Sequence, residues 1–293
     1  MQIDGQQLAA FAAVIEHGSF DAAAAQLHVT PSAISQRIKA LEQRVGQVVV
    51  VREKPCHATA AGVPLLRLAA QTALLQAEAL AEMKGGDGSS PRIALAVNAD
   101  SMATWFTGVF GTLDSVLFDI RIEDQDHSAQ LLREGVVMGA VTTERTPVSG
   151  CRVRPLGVMR YAPVASPSFI ARHLPDGFTA HAVATAPSLA WNRDDALQDM
   201  LVRKVFRRDI ARPQHLVPTA EGFAGAVRAG LGWGMFPEAN LAAPGMADGA
   251  FVRVVDAHLD VPLFWQCWKL DSPLIDAVTG VVRAAASGPL LRG

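Results

Sequence analysis

Residues Ser19 to Val45 read SFDAAAAQLHVTPSAISQRIKALEQRV, and this stretch decides how the chain begins to fold. Ser19 is a good N-cap, after which Phe20, Ala23, Ala24 and Leu27 fall at i, i+3, i+4 and i+7 on one apolar helical face. After a break at His28–Val29, Thr30 caps a second helix. Pro31 takes its first position, where a missing N–H costs nothing and a fixed φ helps. The apolar stripe of that helix is Ile34, Ile38, Leu41 and Val45. Its outward residues, Ser32, Ser35, Gln36 and Lys39 with Arg37 at the flank, are donors suited to base edges and phosphates. An upstream helix repeats the spacing with Leu8, Phe11, Ala12 and Ile15 and supplies a third wall to a small core. Three helices containing a helix-turn-helix are therefore expected, although by spacing alone any amphipathic pair would show such a polar face.

Working outward, Gln47–Arg52 reads as a strand, followed by a Glu-Lys-Pro turn and a return through Cys56-His57-Ala58, which together make a wing. The whole chain carries a net charge of −2, and residues 1–60 are neutral. Between Ser32 and Lys54, however, Arg37, Lys39, Arg44, Arg52 and Lys54 face only Glu42 and Glu53, so positive charge gathers on the helix and turn that would meet phosphates. Thr59 is expected to cap a long helix reaching about Met83. Val63, Leu66, Ala70, Ala73, Ala77 and Leu80 recur along it in steps of three and four, as in a coiled-coil seam. A second stripe, Leu65, Leu68 and Leu75, makes the helix apolar on more than one side and calls for two partners, one of them a second copy of the chain.

The segment Gly85–Pro91, GGDGSSP, is a flexible polar break. Beyond it strands and helices alternate, which predicts α/β units with largely parallel sheets. Strands are expected at Ile93–Val97, Phe118–Ile122 and Met138–Thr142, with helices at about 101–113 and 127–135. A second set places strands near 158–165, 187–191, 215–218 and 232–236 and helices near 194–208 and 220–230. Leu263–Lys269 and a helix from Ser272 to Ala286 close the chain.

At 293 residues the prior is about two domains, and 50% apolar with 18% charged residues fits a soluble, well-cored globular protein. The opening MQIDGQQL has no basic n-region and no stretch approaches about 18 apolar residues, so a cytoplasmic location is expected. Three widely spaced cysteines, Cys56, Cys151 and Cys267, argue against a disulfide framework or a zinc site. No metal or cofactor is expected. An enzyme is disfavoured as well: Ala229–Gly234 lacks the dinucleotide-fingerprint spacing, and His127-Ser128 lacks a third partner and a nucleophile elbow.

The ordered run Phe20, Ala23-Ala24, Leu27, Pro31-Ser32-Ala33-Ile34-Ser35, Ile38 and Leu41-Glu42 closely resembles the N-terminal signature of LysR-type transcriptional regulators. The chain departs from it in carrying Val49-Val50 where the commoner pair is Leu-Phe, an apolar exchange that bears on packing. Further segments resemble the arginine- and lysine-responsive ArgP/LysG subgroup: Asn98-Ala99-Asp100-Ser101, Thr104-Trp105, Pro155-Leu156-Gly157 with Arg160-Tyr161, Trp191–Asp195, Gly232-Trp233-Gly234-Met235 with Pro237-Glu238, and Trp265-Gln266-Cys267-Trp268.

The resemblance implies a mixed architecture. An all-α winged helix-turn-helix N-terminal domain (1–58) precedes a linker and dimerisation helix (59–84), a hinge (85–91) and an α/β effector-binding region (92–293). That region would form two lobes resembling type 2 periplasmic binding proteins, about 92–161 with 265–293 and about 162–264. It also implies a regulator of amino-acid export or related genes, responding to lysine or arginine. Its partners would be promoter DNA with two-fold-related half-sites, further copies of the chain in a dimer or tetramer, and RNA polymerase. Thr30, Pro31, Ser32, Ser35, Gln36, Arg37, Lys39, Arg52 and Lys54 would meet DNA.

For the effector, three predicted strand ends carry suitable groups: Asn98–Ser101, the acidic run Glu123–Ser128, and Thr142–Glu144. Acidic groups beside an anion-binding helix end suit a zwitterion with a second positive charge, as in lysine or arginine. Each acid taken singly also reads as a cap or a solvated loop residue. The family pocket carried over by position gives Asp100, Ser101, Asp124, Asp126, His127, Thr142, Trp191, Asn192 and Asp194. Ser101 would hold the α-carboxylate, Asp124 or Asp126 an ammonium, and Asp194 would close from the second lobe. The rival readings are a LysR-type regulator of a different small molecule and a cytoplasmic solute-binding protein, which would leave residues 1–84 unexplained.

Overall fold

The computed structural model describes residues 3–83, 91–113, 116–123, 125–241 and 249–292, the side chains of residues 125–127 excepted. The predicted hinge lies outside the described residues save for Pro91.

The head is set by its caps. Asp4 accepts from the N–H groups of Gln6 and Gln7 to start α1 (Gly5–His17), Ser19 starts α2 (Phe20–Gln26), and Thr30 with Pro31 starts α3 (Pro31–Val45). His28 takes a positive φ of 54° in the turn between α2 and α3. The three apolar stripes converge in one core of Leu8, Phe11, Val14, Ala23, Ala24, Ile34, Ile38 and Leu41, against which Ala12, Ile15, Phe20, Leu27 and Val45 pack. Each fully buried large side chain there contributes about 1.5–3 kcal/mol. The wing is shorter than expected, β1 (Val50–Val51) pairing antiparallel with β2 (His57–Ala58), while Val49 and Val50 turn into the same core.

The long helix, α4 (Val63–Met83), starts three residues later than the Thr59 cap suggests. Thr59 still caps the turn that leads into it, its hydroxyl accepting from the Gly62 N–H at 3.2 Å and its carbonyl from the N–H of Gly62 at 2.9 Å and of Val63 at 3.1 Å. The expected seam is also redistributed. Leu65 and Ala69 are buried in the head core and Leu66 packs against it, whereas Ala73, Ala77 and Leu80 are exposed.

Beyond the break come β3 (Arg92–Val97), α5 (Ala99–Thr104), a 3-10 turn (Phe106–Thr112), β4 (Leu117–Ile122), α6 (Gln125–Glu134), β5 (Gly139–Thr142) and β6 (Cys151–Ala165). Then follow α7 (Pro167–His173), α8 (Ala180–Thr185), β7 (Ser188–Ala190), α9 (Leu197–Phe206), β8 (Gln214–Leu216) and α10 (Ala220–Arg228). The chain ends with β9 (Gly234–Pro237), α11 (Glu238–Leu241), β10 (Val252–Arg253), β11 (Leu259–Trp268) and α12 (Pro273–Ala286). Helices α7 and α8 were not expected from apolar spacing, yet each has a local start signal: Ser166 with Pro167 for the first, Thr179 for the second.

The chain forms two compact units, Met1–Val97 with Leu113–Val153 and Gln266–Thr279, and Asn98–Thr112 with Arg154–Trp265 and Gly280–Gly293. In the first, β3 pairs parallel with both β4 and β5. In the second, β7 and β8 are parallel, but β6 pairs antiparallel with β9 and β10, so the sheets are mixed and not largely parallel. Periodicity locates strands; it carries no information on their direction.

Within the first unit α4 is held at two points. Gly135, at the end of α6 with φ +74°, lies so close that a Cβ there would stand 2.5 Å from the Arg67 Cα, and the Arg67 guanidinium donates to the Ser149 carbonyl. Farther along, Glu78 accepts from the Ser272 hydroxyl at 2.6 Å and from the Leu274 N–H at 3.1 Å, capping α12 from another helix. Glu78→Ala should therefore cost about 1–2 kcal/mol. Faster amide exchange in the first turn of α12 measures it, and unchanged protection there would contradict the cap.

Candidate DNA-contact face and effector site

On the head, Thr30, Pro31, Ser32, Gln36 and Lys39 are exposed and Ser35 and Arg37 half-buried, so the predicted polar residues form one outward face of α3. Thr30 both caps the Ala33 N–H and lies 2.9 Å from the Ser32 hydroxyl, which organises the start of that face. Arg37 donates to the Gln6 side chain at 3.0 Å, leaving it as a flank residue. In the wing, Arg52 stacks over the Phe20 ring at 5.1 Å and lies 3.9 Å from Glu42. An exposed guanidinium is thus steered by a buried-side ring and one carboxylate. Lys54 is exposed.

The second unit gathers most of the predicted effector residues. Asp100, on α5, is half-buried and accepts a hydrogen bond from the Tyr161 phenol at 2.7 Å. Burial pushes its carboxyl up from 3.8 to about 6, the Tyr161 hydrogen bond pulls it down, and the nearby Asp195 carboxylate pushes it up again. One turn of α5 also carries Ser101, fully buried, and is preceded by Asn98. The Ser101 hydroxyl and both polar atoms of the Asn98 side chain have no partner among the described residues. Buried orphans of this kind cost about 1–3 kcal/mol each unless something outside the chain satisfies them.

Across from them, the Trp191–Asp195 loop is folded around Asp195, not Asp194. Asp195 accepts from the N–H groups of Trp191 at 2.9 Å and Leu197 at 3.1 Å, whereas Asp194 is exposed with its own N–H held by Asn192. Trp191 and Asn192 are half-buried.

Thr142 lies in the first unit at the end of β5, buried, with its hydroxyl already donating to the Glu144 carbonyl at 3.3 Å. Gln266 clamps the same turn, its amide nitrogen reaching Thr142 Oγ1, Glu144 O and Thr146 O and its oxygen taking the Val148 N–H. Asp124, Asp126 and His127 lie outside the residues whose side chains are described. Tyr161 and Asp195 were not foreseen as candidate site residues, and Asn98 only as part of the Asn98–Ser101 strand end. Tyr161 is the only tyrosine of the chain, a weak signal that sequence offered.

Residues 6–63 match the model of the bacterial regulatory helix-turn-helix protein of the lysR family, and residues 86–287 match the LysR substrate binding domain. The chain belongs to the LysR family. This LysR-type chain is 74% identical over 294 residues to the HTH-type transcriptional regulator LysG of Mycobacterium tuberculosis, covering 100% of this chain and 96% of that one. The crystal structure of ArgP from Mycobacterium tuberculosis superposes with a TM-score of 0.93 at 74% identity, both chains covered in full. The lysine export transcriptional regulatory protein LysG of Corynebacterium glutamicum is 41% identical over 287 residues, 96% of this chain and 98% of that one. Its full-length structure with bound effector Arg gives a TM-score of 0.80 at 39% identity, covering 99% and 100% of the two chains. The LysR-type architecture of winged head plus α/β region is therefore shared across both parts of the chain. Among the described residues no helix is long and apolar enough to cross a membrane, and no group of three or more His, Cys, Asp or Glu could hold a metal ion. Cys56, Cys151 and Cys267 are all buried.

Proposed function

We propose that this LysR-type chain is a cytoplasmic, non-enzymatic regulator that binds promoter DNA and responds to a basic amino acid, lysine or arginine, in controlling amino-acid export or related genes. The observation that carries the effector class is the half-buried Asp100 with Asp195 near it, a carboxylate pair beside the unpartnered Ser101 and Asn98. A cation relieves the first feature, and a carboxylate accepts from the second. The Corynebacterium glutamicum relative with bound effector Arg supports the same class. Trp191, Asn192 and Asp194 belong to the same unit and complete this set. Asp124, Asp126, His127 and Thr142 are kept as candidate ligand contacts of the first unit.

At the head, the α3 face of Thr30, Pro31, Ser32, Ser35, Gln36, Arg37 and Lys39 reads the major groove, and Arg52 and Lys54 hold flanking backbone. The exposed apolar residues of α4, Leu68, Leu75, Leu80 and Met83 with Ala73 and Ala77, are the face a second copy covers, presenting heads in pairs to two-fold-related half-sites. Effector binding then acts as a population shift between head placements in a dimer or tetramer, with RNA polymerase as the downstream partner.

A gel shift tests this directly, using the promoter of a divergent amino-acid exporter gene at about 50 and about 200 mM salt, with and without lysine and arginine. A sequence-preferring complex altered by either amino acid is expected; no preference under any condition overturns the reading. In the same assay Gln36→Ala should relax base preference by about 1–3 kcal/mol per recognised pair. Arg52→Ala should weaken specific and unrelated DNA alike and lower the salt slope by about one. If both variants lose the same discrimination, the division of roles between α3 and the wing is wrong.

A further inference from the structure

We propose that a cavity of about 240 Å³ in the second unit is a second small-molecule site, taking an α-amino acid with an apolar side chain. Trp105, Met159 and Leu290 give it buried apolar walls, while Arg160 and Glu238 bring opposite charges to it. Its size lies just below the roughly 300–1,000 Å³ of drug-sized clefts, which suits an amino acid.

The polar groups are held in place. Asp260 grips Arg160 at Nε (2.7 Å) and Nη2 (2.8 Å), which leaves Nη1 for another acceptor. Glu238 takes Arg253 through Oε1 and retains Oε2. Glu238 stands close enough to Arg160 to favour its charged form. The two ion pairs balance, so a ligand with net charge gains little, whereas a zwitterion can set its carboxylate on Arg160 and its ammonium at Glu238. Trp105 adds a buried indole N–H with no acceptor among the described residues. The cavity is also built, not incidental. Leu291 and Val158 exchange backbone hydrogen bonds at 2.9 and 3.0 Å, seating the chain end beside the wall. Gly157, with φ +143°, permits this, since a Cβ there would stand 2.7 Å from the Leu291 carbonyl.

Helix α5 is shared between this cavity and the Asp100 site. Thr104 lines the cavity and donates to the Asp100 carbonyl at 2.6 Å, and the Trp105 N–H donates to the Ser101 carbonyl at 3.1 Å. An occupant of the cavity biases the placement of α5 and thereby the affinity for the basic amino acid, and the effect is reciprocal.

Titration calorimetry of the full chain with L-leucine and L-phenylalanine, in the presence of excess arginine, tests the site. One additional equivalent per chain is expected, lost in Ala239→Trp, which fills the exposed side of the cavity, and weakened at least tenfold in Arg160→Gln. Phenethylamine, which lacks the carboxylate, should bind at least tenfold more weakly than phenylalanine. Binding that disappears whenever arginine is present would assign the ligand to the Asp100 site and overturn the proposal. Absence of heat from both amino acids at millimolar concentration, or equal binding of phenethylamine, would overturn it too. A chain that binds phenylalanine but not arginine would leave this site standing and defeat the basic-effector reading.

Discussion

Asp100→Asn is expected to raise the melting temperature of the ligand-free protein at pH 7.5 while weakening arginine binding by about 100-fold. The shift from 3.8 to about 6 means the folded carboxyl keeps a proton that the unfolded chain has already lost. Below about pH 3.8 both states are protonated and the group contributes nothing. As pH rises through the window to about 6, the unfolded chain ionises first, so folding stability falls, and above about 6 the deficit is constant. At 1.36 kcal/mol per unit the deficit is at most about 3 kcal/mol, and solvent screening of this half-buried carboxyl lowers it. Asparagine removes that burden and still offers Tyr161 an acceptor of the same shape, so the ligand-free protein gains stability.

The same substitution removes the carboxylate proposed to meet the ligand cation. In the unsubstituted protein a bound cation favours the ionised form, so arginine affinity should fall by up to about tenfold per pH unit below about 6. That slope should vanish in Asp100→Asn. Calorimetry between pH 5 and 7.5 measures both effects, and an unaltered affinity with the pH slope intact would remove Asp100 from the site.

Phe11→Ala should abolish DNA retention while leaving arginine affinity within about twofold. Phe11 is wholly buried where α1, α2 and α3 meet, and truncating such a ring costs about 3–5 kcal/mol. A head of this size holds about that much stability in total, so most of it would unfold at physiological temperature. Leu65 and Ala69 share the core, so the first turns of α4 should loosen as well. Asp100, Tyr161 and Asp195 lie in the other unit, and Thr142 of the first sits on β5 outside the head core, hence the spared ligand binding. Differential scanning calorimetry should show an early transition lost while a later one stays in place. Loss of both transitions together would mean that the two units unfold as one.

The helix-turn-helix was legible because its signals are short-range. Ser19, Thr30 and Pro31 start helices within three residues of themselves, and stripes such as Ile34, Ile38 and Leu41 repeat every turn. Strand positions β3, β4 and β5 were legible for the same reason, each being an apolar run bounded by turns. The candidate effector site was only partly so. An acidic strand end announces itself in sequence, but Asp194 and Asp195 look alike there, and only the fold of the 191–195 loop turns one outward and ties the other to Trp191 and Leu197.

The sequence by itself thus determined the caps, the amphipathic faces, the polar outward face of α3 and the succession of α/β elements, all consequences of forces acting within a turn or two. Tertiary structure decided the rest. It fixed that Asp100 is bonded to Tyr161, sixty-one positions away, that Leu66 serves the head core while Ala73 and Leu80 stay exposed, that β6 pairs antiparallel, and that Glu78 caps α12. Burial and strand direction belong to pairs of segments far apart in the chain. No window along one of them contains the desolvation, the close approach or the missing hydrogen-bond partner that gives a residue its chemistry.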